Sequence, residues 1–89
     1  EKYGLCDQMR RASKSVVANI VEGYSHKDTP GRAKQFWRTA MGSANEMVEH
    51  IEISVDLGYS SNEVGTKHIE KYTIVAKQLN KLIQSWQKF

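Results

Sequence analysis

Apolar residues recur every three or four positions through almost the whole chain, and the pattern lapses only in two short polar stretches, YSHKDTPG and DLGYSSNE. A period near 100° per residue belongs to amphipathic helices, and no segment shows the two-residue alternation of a strand. Three helices are predicted, over about 4–22, 30–57 and 61–88. The first carries Leu5, Met9, Ala12, Val16 and Ile20 on one stripe, widened by Cys6, Val17 and Tyr24, with Gly23 as its stop. The second opens with Thr29 as cap and Pro30 at the first helical position, and gathers Ala33, Phe36, Trp37, Ala40, Met41, Ala44, Met47, Val48, Ile51 and Val55 on one broad arc. It ends at Gly58, after which Ser60 and Glu63 fit a capping box for the third helix. The seam of that helix is Val64, His68, Tyr72, Val75, Leu79, Leu82 and Trp86.

Short connections between such helices dictate an all-α, up-down antiparallel bundle over residues 1–89, a single domain. The apolar arcs are wider than three helices need. The first is apolar over roughly 140° of its circumference, and Gly42, Glu46, Ile53 and Leu57 form a flank outside the main arc of the second. Further helical surface is expected to cover them, from a helix upstream of Glu1, from a neighbouring subunit, or from both.

With 89 residues, 39% of them hydrophobic and 26% charged, the chain belongs among small globular domains and not among disordered ones. The net charge of +3 permits attraction to polyanions without the excess of a histone-like protein. A lone Cys6 makes no internal disulfide, and a small chain without a bridged framework suits a reducing compartment, so a cytoplasmic location is expected. No window approaches the ~18 apolar residues of a membrane span, and no membrane partner is expected.

Catalytic patterns are absent. There is no phosphate-binding glycine loop and no nucleophile elbow. Cys6 lacks an adjacent activating histidine and reads as a packing residue, and no cofactor is expected. A di-metal bundle needs Glu-x-x-His pairs, but no glutamate has a histidine three residues later, and Glu49, Glu52 and Asp56 project to the polar side. His68 reads as a hydrogen-bonded packing residue, while His26 in the loop has no evident partner. Phe36, Trp37, Tyr72 and Trp86 lie on apolar arcs, as core and not as base-stacking residues. Charge marks one candidate nucleic-acid surface: Lys67, Lys77, Lys81 and Lys88 on one polar face of the third helix, with Arg10 and Lys14 on the outer side of the first.

Beside the apolar face of the first helix runs a polar line of Gln8, Arg11, Ser15, Asn19 and Glu22, with Glu46 of the second helix the candidate partner of Arg11. Such groups at a core border need partners, because an unpaired one costs on the order of 1–3 kcal/mol. The line reads as a structural polar network that fixes helix register or a subunit contact.

The segment YGLCDQMRRASKSVVANIVEG, then Phe36–Trp37, then AMGSANEMVEHIEISVDLGY, resembles the small four-helix-bundle proteins encoded in intervening sequences of bacterial 23S rRNA genes. The corresponding pieces are Gln8, Arg10–Arg11–Ala12, Ser15, Asn19–Ile20, Glu22–Gly23, Gly42–Ser43, Glu46 and Leu57–Gly58–Tyr59, with Val21 where the family has Ala. The resemblance implies a cytoplasmic, non-enzymatic bundle whose usual first helix is missing ahead of Glu1. Relatives among accessory proteins of diversity-generating retroelements imply a homo-oligomer, a pentamer, associated with a reverse transcriptase and nucleic acid. Expected, then, is an oligomeric helical protein that binds RNA or scaffolds a nucleic-acid enzyme. The alternatives are a retroelement reverse-transcriptase accessory and a small metal- or ligand-binding bundle.

Overall fold

The computed structural model describes residues 2–86. Three helices run up, down and up: α1 (Lys2–Ser25), α2 (Pro30–Asp56) and α3 (Asn62–Ser85). Both outer helices pack along α2, and among the described residues neither packs along the other. The result is an elongated layer with principal extents of 49 × 21 × 12 Å, little more than one helix thick in its shortest direction.

Small residues on α2 let the neighbouring helices approach. Ala33, Trp37, Ala40, Leu79 and Ile83 form one buried cluster, joined by Ile20, Met41, Val75, Leu82 and Trp86. A second cluster joins Ala12, Met47 and Ile51, flanked by Met9, Ile69 and Tyr72. Trp37, fully buried, anchors the first cluster. Its ring meets Tyr24 at 5.2 Å and Trp86 at 5.3 Å, both edge-on, and its Nε1 donates to the Ile20 carbonyl at 3.3 Å. Trp86 Nε1 donates to the Lys27 carbonyl at 2.9 Å, which ties the end of α3 to the α1–α2 loop.

Three local expectations change. Gly23 does not stop α1, which continues to Ser25. Gly23 instead lies against the Trp37 indole, where a Cβ would overlap the ring. Thr29 does occupy the α2 cap position with Pro30 behind it, yet its side chain makes no capping bond; its carbonyl accepts from the Arg32 and Ala33 amides. The cap of α3 is Ser61 and not Ser60: Ser61 Oγ accepts from the Val64 amide at 3.2 Å, while Ser60 Oγ bonds the buried Ser54 Oγ at 2.9 Å. Gly58 behaves as expected, turning the chain at φ 78°.

The α3 seam is also rotated. Gly65, Leu79 and Ile83 are its buried residues, whereas Val64 and His68 are exposed and Tyr72, Val75 and Leu82 half-buried. Gly65 sits directly on Val55 and Ile51. This close approach turns the small side of α3 toward α2 and leaves the larger apolar side facing α1 across a gap. Helix α3 ends at Ser85, short of the expected 88, and Lys88 lies outside the described residues.

Candidate nucleic-acid interface and apolar trough

Ser15 and Asn19 are half-buried where α1 meets α2. Ser15 Oγ and Ser43 Oγ are 2.7 Å apart, and Asn19 Nδ2 donates to Ser15 Oγ at 3.1 Å and to its carbonyl at 2.8 Å. Those three side chains form the polar lock between the helices. The rest of the expected line stays outside it, since Gln8, Arg11 and Glu22 are exposed. Glu46 does not meet Arg11; its Oε1 lies 3.4 Å from His50 Nε2, one turn along the same helix. Glu22 reaches back to His26 at 3.5 Å, and the His26 ring also stacks on Phe36 at 5.3 Å, so the loop histidine has two partners. Sequence spacing found the hydroxyl and amide but not Ser43, because no one-helix projection shows what stands opposite.

Between α1 and α3, over the buried Met47 and Ile51 of α2, runs an apolar trough. At one end it is lined by Cys6, Met9, Met47, Ile51, Val64 and Tyr72. It continues past Val16, Val17, Ile20 and Val75 toward Tyr24 and Leu82. Val17 is 63% exposed and Val64 48% exposed. Cys6 and His68, both read from sequence as packing residues, are exposed and border this trough, with no hydrogen bond to His68 among the described residues. Arg10 stands on its rim, paired with Asp7 at 2.9 Å.

Antiparallel topology brings distant charges together. The half of the layer built from residues 14–43 and 74–86 holds seven Lys or Arg against Glu22 and Asp28, a formal +5; the other half, residues 2–13 and 44–73, holds five against seven acids, a formal −2. Of the described Lys and Arg side chains, only Arg10 pairs with a carboxylate. The expected cations divide across this boundary. Lys77 and Lys81 fall in the basic half, where α2 contributes Lys34 and Arg38 beside them, since Ala33, Trp37 and Ala40 pack on Leu79 and Ile83. Lys67 lies in the acidic half; Arg10 and Lys14 belong to α1, with Arg10 on the rim of the trough. Lys34 and Arg38 went unnoticed in sequence, although their four-residue spacing puts them on one helix face; only the antiparallel pairing sets them next to Lys77 and Lys81.

Among the described residues, no three His, Cys, Asp or Glu side chains gather as a metal site, and no helix is long and apolar enough to cross a membrane. The polar lock, the trough and the basic end are therefore the features to which a role must be assigned. No curated protein and no solved structure matches the chain. A family profile described as 23S rRNA-intervening sequence protein matches residues 1–81, through all of α1 and α2 and most of α3. The chain belongs to the 23S rRNA-intervening sequence protein family.

Proposed function

We propose that this protein is a non-enzymatic, cytoplasmic helical scaffold that self-associates through its apolar trough and binds RNA through its basic end. The observation that carries the RNA reading is the gathering of Lys34, Arg38, Lys77 and Lys81, from two helices, with no carboxylate among the described residues paired to any of them. Free cations on a rigid helical face release counterions when they meet a phosphate backbone, and that term carries no base specificity. With no aromatic platform among these four, recognition rests on shape and charge. Repetition in a homo-oligomer, a pentamer by family resemblance, multiplies the effect and suits a platform on which a nucleic-acid enzyme works.

The trough supports the oligomeric half of the reading. A continuous exposed apolar strip with a charged rim is what helix docking between subunits requires.

The test is binding of a short RNA duplex, followed by fluorescence anisotropy across a salt series. Affinity should fall steeply with salt, and neutralising Lys34, Arg38, Lys77 and Lys81 together should weaken binding at least about tenfold and flatten the log–log salt slope by about three to four. Neutralising Arg10 and Lys14 should change it little. Unaltered affinity in the fourfold variant would overturn the assignment.

A further inference from the structure

The face of α2 and α3 turned away from the trough has a second property, which RNA binding does not require: apart from Lys67, its charges repeat with inverted sign. Eighteen residues make five whole turns, so residues eighteen apart share one side of a helix at a separation of about 27 Å. On α2 Lys34 and Glu52 are related in this way, as are Arg38 and Asp56; on α3 Glu63 and Lys81 are. Glu49, Glu52 and Asp56 line one shallow depression with Asn62 and Thr66 of α3, which fixes this side of both helices as a single surface. The cations lie on the same surface, five turns away. None of Lys34, Arg38, Lys77, Lys81, Glu49, Glu52, Asp56, Glu63 or Glu70 pairs with an opposite charge among the described residues.

The middle of this face is nearly uncharged. Gly42 has open space where a Cβ would stand, Asn45 is exposed, and Ile74 is an apolar side chain 54% exposed. Lys34 and Asp56 stand eleven residues either side of Asn45, and Arg38 and Glu52 seven. On α3, Lys77 and Glu70 stand almost symmetrically about Thr73 and Ile74.

A surface whose charge inverts about its own midpoint is complementary to itself turned end for end. A two-fold axis lying in the face, perpendicular to the helices and near Asn45 and Ile74, sets α2 over α2 and α3 over α3 in antiparallel sense. It places Lys34 of each copy by Asp56 of the other, Arg38 by Glu52 and Lys77 by Glu70, with the two Ile74 side chains near the axis. Stacking in the parallel sense sets like charges on like charges and is disfavoured. We propose that a second copy of this chain docks on this face, antiparallel, as an isologous contact separate from the trough. The docking uses the cations assigned above to RNA, so the two partners exclude each other there; it does not depend on RNA being bound at all.

The experiment is sedimentation velocity of the full chain at tens of micromolar, with two charge-reversed variants, Lys34→Glu with Arg38→Glu and Glu52→Lys with Asp56→Lys. The wild type should show an association step that weakens about tenfold between 50 and 500 mM salt, as exposed ion pairs are screened. Each variant alone should lose the step, because every α2 contact becomes a like-charge pair. An equimolar mixture should regain it as a 1:1 complex, since glutamates at 34 and 38 then face lysines at 56 and 52, and the native pairs survive in the other direction. Recovery in the mixture also reports that both variants are folded. A salt-weakened step that persists in either variant, or a mixture that fails to restore it, overturns the proposal; association insensitive to salt belongs to the trough. Loss of RNA affinity in the first variant with self-association unchanged in both would assign the cations to RNA alone; failure of RNA binding with recovery in the mixture would leave this contact standing without the RNA reading.

Discussion

Glycine inside a helix normally costs about 1 kcal/mol relative to alanine, so replacing it usually stabilises. At Gly23 the sign reverses, because the buried Trp37 indole occupies the space a methyl would need and cannot retreat from Tyr24 and Trp86. Gly23→Ala is expected to lower the melting temperature by at least about 4 °C, an overpacking cost exceeding the gain in helix propensity. Thermal denaturation followed at 222 nm measures it, and a stabilised variant would contradict the packing. His50 presents the opposite case: its ring is largely buried, Nε2 lies 3.4 Å from Glu46, and Nδ1 is buried without a hydrogen-bond partner. An unsatisfied buried nitrogen costs on the order of 1–3 kcal/mol. His50→Leu should therefore raise stability by about 1 kcal/mol in urea denaturation, with no loss of RNA affinity.

The three helices, their order and most of their apolar residues were legible in sequence because each depends on local period alone. What was not legible depended on the neighbour. Helix α1 outruns Gly23 because Trp37 lies on that glycine, and Gly65 turns α3 by docking on Val55, so that Val64 and His68 leave the expected seam. The choice between Ser60 and Ser61 as cap was equally tertiary, since the buried Ser54 on α2 engages the first and leaves the second to the helix. Ser61→Ala should cost about 1 kcal/mol, the usual magnitude for a lost serine cap. If chemical denaturation shows no difference, the capping bond contributes nothing. The polar lock was half visible: Ser15 and Asn19 stood out by their pattern, Ser43 only by its 2.7 Å contact. The charged surface was legible residue by residue but not as a surface, since Lys77 and Lys81 acquire Lys34 and Arg38 only through antiparallel packing.

At the scale of the molecule, α1 and α3 flank the apolar side of α2 without packing on each other, and among the described residues the trough between them stays open. Surplus apolar surface was evident from the width of the helical arcs, but not its location. Val17, 63% exposed on the trough wall, offers a clean probe because a charge there need not disturb the monomer's own core. Val17→Asp should reduce the mass measured by light scattering at micromolar concentration while leaving helical content intact. A monomeric wild type under the same conditions would remove the oligomeric part of the proposed function.

The absence of packing between α1 and α3 along their length also bears on how the chain reaches this shape. Each pair of packed helices is consecutive in sequence and joined by a short loop, so each pairing closes a short stretch of chain. Chains of low contact order fold quickly, because little loop-closure entropy is lost before packing compensates it. Either hairpin can form first, and α2 serves as the template for the second. Speed thus comes from the same arrangement that leaves the trough open.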